Sequence, residues 1–161
     1  MNTKQLWSAL MTNKLTYNYF DGIYSKDTLS DIINKPQLII CNTDNSNKPG
    51  EHWVLFFFSK KKCEFYDSLG KDITFYGDSF LKFIYKFVTK IEQVPFRTQP
   101  LNTPYCGELC LFYAYKRCKG YKMIQILEMM SNIENVLSFV YDKFHICEDS
   151  KCQLLQRSQN K

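Results

Sequence analysis

The fold is decided by residues 52–67, which read HWVLFFFSKKKCEFYD. The apolar run 53–58 is followed by a short polar turn and a second, mostly apolar run, 63–66. Runs of this length and composition, separated by a few polar residues, are typical of an antiparallel β-hairpin. We therefore predict that His52, where the first strand begins, lies close to Asp67, where the second strand ends.

Further strands and helices are predicted around this hairpin. Apolar residues recur every three to four positions in the helical segments, and short apolar runs bounded by Pro or polar residues indicate strands. We predict strands at 38–40 and 93–97 and helices at 3–10, 80–91, 106–119, 122–130 and 131–144. Asp78 or Ser79 is expected to cap the second of these helices, and Ser131 with Glu134 to form a capping box at the last. The sequence predicts an α+β fold with a small mixed or antiparallel sheet flanked by helices.

Composition indicates one domain. The chain has 161 residues, is 45% hydrophobic and contains no long low-complexity block, which suits a single core. We predict one domain over residues 1–147 and a polar, flexible tail over 148–161. The N-terminus leads into no apolar stretch of signal-peptide length, so an intracellular, unsecreted protein is expected. Seven cysteines in such a compartment are expected to be reduced thiols.

Cys106 is the candidate nucleophile because it begins the predicted helix 106–119. Free N–H groups and partial positive charge at a helix N-terminus lower the pKa of a thiol and favour its reactive thiolate. Gly107 leaves room for a substrate backbone beside the sulfur, and the Cys106 N–H can face an oxyanion. The alternative is that Cys106 is a small buried hydrophobic residue, as most free cysteines are.

A thiol nucleophile needs a base that titrates near neutral pH. The chain has two histidines: His52 stands at a loop-to-strand junction and is the predicted base, whereas His145 is expected to interact with carbonyl groups at a helix end. Asp67 is the predicted acid that orients the imidazole, with a turn-capping aspartate as the alternative. Gln99 can direct an amide N–H at an oxyanion, or can be a solvated loop side chain.

These motifs, in this order, resemble adenain, the adenovirus maturation protease, and its relatives. SUMO-specific proteases share the order histidine, acid, glutamine, cysteine-glycine and form the nearest confusable group. The resemblance is carried by Gly50-Glu51-His52-Trp53, Phe65-Tyr66-Asp67-Ser68-Leu69-Gly70, Gln99 and Tyr105-Cys106-Gly107-Glu108-Leu109-Cys110.

The resemblance implies an adenain-like cysteine protease fold with the nucleophile at a helix N-terminus. It implies a triad of Cys106, His52 and Asp67, an oxyanion hole of Gln99 and the Cys106 N–H, and substrate contacts from Trp53, Tyr105 and Gly107. Adenain-type enzymes cleave virion precursor proteins next to small residues, commonly glycine, so polypeptide substrates, a monomer and a location in the host nucleus or virion are expected.

Cofactor expectations also follow from the resemblance. The chemistry itself requires none, but adenain is activated by DNA and by a disulfide-tethered peptide. No cysteine lies between Asp67 and Tyr105, where adenain carries its tethering cysteine, so a covalent tether is not expected here. Asp67 replaces the glutamate of adenain, a change of one methylene that other relatives also show.

Three alternatives remain at this point. A deconjugating protease acting on SUMO-like or ubiquitin-like tails needs the same narrow cleft. A basic, non-enzymatic DNA-binding protein is suggested by the net charge of +5, the run 60–62 and the basic residues within 116–122. A zinc site is conceivable from ligand types alone, but its spacing matches no zinc module, and we predict no metal. The candidate ligands are Cys106, Cys110, His145, Cys147 and Cys152.

Overall fold

The computed structural model describes residues 1–29, 31, 33–34 and 36–146. Helices and strands alternate irregularly along the chain, and a short 3-10 helix follows the central hairpin. In chain order the elements are α1 Thr3–Thr12, α2 Lys14–Tyr17, β1 Phe20–Ser25, β2 Gln37–Asn42, β3 Trp53–Phe58, β4 Lys62–Tyr66, the 3-10 helix Ile73–Tyr76, α3 Asp78–Tyr85, β5 Lys90–Gln93, α4 Cys106–Cys118, α5 Met123–Met129 and α6 Ile133–Lys143.

The strands form one five-stranded mixed sheet in the order β1-β2-β3-β4-β5. The three central strands pair antiparallel, whereas β1 and β5 join the two edges in parallel. In the hairpin, Phe58 lies opposite Cys63 and Leu55 opposite Tyr66. The predicted hairpin and the predicted α+β class are therefore confirmed.

The sheet separates two hydrophobic cores. Successive side chains of a strand point to opposite faces, so Leu55 and Phe57 enter the core formed with α1, α4 and α6, while Phe56 and Phe58 enter the core formed with α3. Strand β3 is buried on both faces, which explains why its sequence is apolar without alternation.

Several predicted boundaries were wrong. The helix predicted over 80–91 ends at Tyr85, and residues 90–93 form β5 instead of the strand predicted at 93–97. The cause is long-range, because Ile91 pairs with Cys63 of β4 although the local apolar spacing is helical. Gly77, with a φ of 83°, precedes α3 in place of the predicted cap.

Other features lie outside what the sequence predicted or what the structure describes. Strand β1 was missed, since its parallel pairing with β2 has no local signal. The last helix is capped by Asn132, whose side chain accepts from the N–H of Asn135, rather than by Ser131.

The tail 148–161 lies outside the described residues, so the domain boundaries stay a prediction. Among the described residues, no helix is long and apolar enough to cross a bilayer.

Candidate active site

His52 and Asp67 meet at one end of the hairpin. His52 directly precedes β3 and Asp67 directly follows β4, so the antiparallel pairing brings them side by side. The imidazole Nε2 lies 2.7 Å from Asp67 Oδ1. Both residues are buried, with 6% and 1% of their surface exposed. The predicted proximity of base and acid is therefore present in the structure.

The Asp67 carboxylate is held by three donors besides the imidazole. Its Oδ1 accepts from the backbone N–H of Leu69 at 2.8 Å, and its Oδ2 accepts from the N–H of Lys71 at 3.1 Å and the hydroxyl of Tyr76 at 2.8 Å. Burial raises the pKa of Asp67, but the hydrogen bond and charge of His52, with the bonds from Leu69 and Tyr76, outweigh it and lower that pKa. The carboxylate is thus fixed in position and kept ionised.

Cys106 is the first residue of α4 and is half-buried. No side chain caps this helix at Tyr105, so its first N–H groups and partial positive charge act on the sulfur. Burial raises the thiol pKa, but the hydrogen bond to His52, the N–H of Trp53 and the charge of the imidazole outweigh it and lower the pKa. The predicted helix N-terminal position of Cys106 is confirmed.

The surroundings of the imidazole favour its protonated form. Burial lowers the pKa of His52, but hydrogen bonds and negative charge from Asp67 and Cys106 outweigh it and raise the pKa to about 9. Since Nε2 is engaged by Asp67, Nδ1 is the nitrogen left for the sulfur. A lowered thiol pKa beside a raised imidazole pKa favours the thiolate–imidazolium pair over the neutral thiol and imidazole.

Gln99 is buried in the loop that leads to Cys106. Its Oε1 accepts a hydrogen bond of 2.7 Å from the Ser68 hydroxyl, and its Nε2 donates to the carbonyl of Thr103. The opposite amide orientation would place Oε1 against the Thr103 carbonyl, so this orientation is enforced. One N–H of the amide remains for a ligand. The structure thus ties Gln99 both to the residue after Asp67 and to the segment before Cys106.

One of the residues expected to contact substrate is covered. Gly107 is buried, and a Cβ there would lie 2.9 Å from Cβ of Met1. The indole N–H of Trp53 donates to the Met1 carbonyl at 3.1 Å, and Tyr105 is half-buried beside Cys106. The space predicted for a substrate backbone beside Gly107 is therefore filled by Met1, and glycine is required there for that contact.

The sequence analysis missed three residues that contact this site: Ser68, Tyr76 and Met1. Ser68 is completely buried and was read only as part of a turn. Tyr76 follows Asp67 by nine residues in a segment that gave no strand or helix signal. Met1 is brought to the site by α1. In each case the contact depends on tertiary structure and has no local signal in the sequence.

The other histidine, His145, lies away from Cys106. His145 follows α6 with a φ of 51° and is exposed, and it lines a cavity with Thr12 and Tyr115 rather than approaching Cys106. No group of three or more potential metal ligands occurs within the described part of the chain. Cys147 and Cys152 of the imagined zinc site lie outside that part.

Comparisons with known proteins address the fold. No protein-family model and no curated protein matches the sequence. The crystal structure of selenomethionine ASFV pS273R protease aligns with a TM-score of 0.58 at 17% identity, over 90% of this chain and 65% of that one. A second crystal structure of ASFV pS273R protease aligns with a TM-score of 0.49 at 15% identity, over 91% of this chain and 64% of that one. This chain thus spans just under two thirds of the length of that protease. The chain shares the fold of that protease, a mixed sheet flanked by helices.

Proposed function

We propose that this protein is a cysteine protease with Cys106 as nucleophile, His52 as general base and acid, and Asp67 as the residue that orients His52. The observation that carries the proposal is the buried contact of His52 with Asp67 at 2.7 Å. It is joined by Cys106 at a helix N-terminus, where interaction with His52 lowers the thiol pKa. The shared fold supports it.

The acylation step uses the thiolate–imidazolium pair. Cys106 Sγ attacks the carbonyl carbon of a peptide bond, and the carbonyl oxygen becomes an oxyanion. The His52 imidazolium then gives its proton to the leaving nitrogen, the C–N bond breaks, and an amine departs. The products are a thioester on Cys106 and a neutral His52, whose Nε2–H remains bonded to Asp67.

Hydrolysis of the thioester restores the site. Neutral His52 removes a proton from water, and the resulting hydroxide attacks the thioester carbonyl. The C–S bond breaks, a carboxylic acid leaves, and the thiolate–imidazolium pair forms again. In both steps the N–H of Cys106 and the remaining amide N–H of Gln99 stabilise the oxyanion.

The substrate class follows from the resemblance to adenain, and it is part of the proposal. We expect cleavage of virion precursor proteins next to small residues, with Trp53 and Tyr105 as walls of the cleft. A polypeptide is the partner, a monomer is the working state, and the host nucleus or virion is the location. A deconjugating protease of the SUMO-specific type is the alternative within this same fold.

Stimulation by DNA is a further part of this proposal. The net charge of +5 favours it, but some basic side chains are engaged inside the molecule. Lys62 Nζ lies 3.1 Å from Glu64 Oε1 and also binds Glu92, and Arg117 Nε lies 2.7 Å from Glu64 Oε2. Such pairing reduces the charge available to phosphates. Turnover measured with and without duplex DNA at low salt tests this part separately.

The test of the proposed chemistry is intact-mass spectrometry after brief treatment with a peptide vinyl sulfone ending in Gly-Gly. We expect a single label on wild type, none on Cys106→Ser and strongly reduced labelling of His52→Ala. Cys118→Ser is the matched control, because it removes a buried thiol from the other end of α4 and should label like wild type. Equal labelling of all these variants would contradict the proposal.

The substrate class is tested next with two kinds of probe. Fluorogenic peptides with small residues at the cleaved bond are compared with ubiquitin-family proteins that carry a C-terminal fluorophore. Turnover of the peptides alone supports a precursor-processing endopeptidase. Turnover of the ubiquitin-family probes alone supports the deconjugating alternative and leaves the triad assignment intact.

A further inference from the structure

We infer that Tyr76 is a positioning residue of the active site, which acts through Asp67 to hold His52 in place. The inference rests on the proposed function, because it assigns a role within that same site. It concerns a residue outside the motifs that carry the resemblance.

The Tyr76 hydroxyl binds the carboxylate oxygen that faces away from the imidazole. It donates to Asp67 Oδ2 at 2.8 Å, while Oδ1 faces His52. The Tyr76 ring also lies nearly parallel to the imidazole, with an interplanar angle of 20° and centroids 6.4 Å apart. The tyrosine therefore flanks both the acid and the base from one side.

The ring of Tyr76 is fixed by its own packing. It contacts Phe65 of β4 and Phe80 of α3, with centroids 6.4 and 5.9 Å away, and Phe75 at 5.2 Å. Its carbonyl accepts from Lys26 Nζ at 3.3 Å. Because ring and backbone are both held, the hydroxyl stays at a defined point beside the carboxylate.

The 3-10 helix that carries Tyr76 is itself anchored to the sheet. The Asp72 side chain caps it by accepting from the N–H of Thr74 at 2.9 Å. Gln93 of β5 bridges the same helix start, since its Oε1 accepts from the N–H of Ile73 at 3.1 Å and its Nε2 donates to Asp72 Oδ2 at 2.6 Å. The position of the hydroxyl is thus set by the rigid sheet.

This arrangement restricts rotation of the carboxylate. Without the Tyr76 hydroxyl, only the N–H of Lys71 at 3.1 Å would hold Oδ2, and the carboxylate plane could turn away from His52. The hydroxyl keeps its proton, because burial and the negative charge of Asp67 both raise the pKa of Tyr76. Tyr76 therefore remains a donor across the working pH range. Other titratable groups near this cluster are His52, Cys106, Glu51 and Lys26.

The test is Tyr76→Phe, which removes the hydroxyl and keeps the ring packing. We expect kcat to fall about tenfold, the size expected for one hydrogen bond to a charged group, with KM unchanged. The carboxylate would then turn away from the imidazolium, whose hydrogen bond to and attraction by Asp67 raise the pKa of His52. The pKa of His52 should therefore fall relative to wild type, and the alkaline limb of the pH–rate profile should move to lower pH.

Tyr24→Phe is the matched control. It also removes a hydroxyl that donates to a carboxylate, since Tyr24 binds Asp21 Oδ2 at 2.7 Å on strand β1. We expect wild-type kcat and an unchanged pH profile in that variant. A tenfold loss in both variants, or a loss in Tyr76→Phe with an unmoved alkaline limb, would reduce Tyr76 to a structural role and overturn the inference.

A histidine titration by NMR separates this inference from the proposed function. The chain has two histidines, so His52 is assigned by comparison with His145→Gln. A lower imidazole pKa in Tyr76→Phe than in wild type supports the coupling even if no turnover is found, in which case only the proposed function fails. An unchanged imidazole pKa overturns the coupling even if wild type is an active protease.

Discussion

Replacement of Asp67 by asparagine tests the hydrogen-bond geometry most severely. The carboxylate accepts from four groups, two on each oxygen. An asparagine has only one accepting oxygen, so its amide nitrogen must face one of the two pairs. Each pair contains a backbone N–H, from Leu69 or from Lys71, which cannot become an acceptor. Either orientation of the amide therefore places a donor against a donor.

The expected magnitudes follow from these contacts. A buried N–H without an acceptor costs about 1–3 kcal/mol, so the free energy of unfolding should fall by about 2 kcal/mol. The rise in the pKa of His52 from 6.5 to about 9 corresponds to about 3 kcal/mol in favour of the imidazolium, and Asp67 supplies part of it. We expect kcat/KM to fall by about 10²- to 10⁴-fold, with weak residual activity.

The assay combines kinetics and unfolding. Cleavage of a fluorogenic peptide at pH 7 gives kcat/KM, and urea denaturation gives the loss of stability. Asp21→Asn is the control, since it makes the same chemical change at a half-buried carboxylate away from the site, which accepts a hydrogen bond from the Tyr24 hydroxyl. Activity of Asp67→Asn within threefold of wild type, with an unchanged urea midpoint, would refute the reasoning.

Three further predictions concern the oxyanion donor, the fold and pH. Gln99→Ala should lower kcat about 10²-fold and Ser68→Ala about tenfold, and peptide kinetics of the double variant should match Gln99→Ala alone because Ser68 acts through Gln99. Arg117→Met should lower the free energy of unfolding in urea by about 3 kcal/mol, because Glu64, which is 2% exposed, loses its two hydrogen bonds to the guanidinium. We expect kcat/KM to be unchanged, since Arg117 lies about 16 Å along α4 from Cys106. The folded pKa of His52 lies above its unfolded value. The contribution of the protonated imidazole to stability is therefore fully present below pH 6.5 and is lost as pH rises through about 9. Thermal melts of wild type and His52→Gln should differ most below pH 6.5 and converge by about pH 10.

The elements that the sequence predicted well are local ones. The hairpin and α4 have apolar patterns that agree with their tertiary surroundings, so the positions of His52, Asp67 and Cys106 followed from strand and helix boundaries. The errors arise where contacts between residues distant in the sequence determine the secondary structure. Ile91 belongs by spacing to a helix, yet it pairs with β4 and forms an edge strand.

The hydrogen bonds around the site were harder to predict from the sequence than the central residues themselves. Whether Asp67 reaches the imidazole could be anticipated from the hairpin, but its outer donors could not. Tyr76 reaches Asp67 from a 3-10 helix whose position depends on Gln93 of another strand. Gly107 was expected to face substrate, whereas it packs against Met1. Such contacts arise from chain packing over long sequence separations and leave no periodic pattern.

The most direct test of the central claim is the pH dependence of Cys106 alkylation. Iodoacetamide labelling is followed by intact mass from pH 4 to 10 in a Cys147→Ser, Cys152→Ser background, with and without His52→Ala. The account predicts one fast site whose reactivity begins well below the ordinary thiol pKa of 9.0 and moves to higher pH without His52. The buried thiols should stay slow, since burial raises the pKa of Cys110 and raises that of Cys118 to about 12. A Cys106 that reacts only near pH 9, with or without His52, would contradict the account.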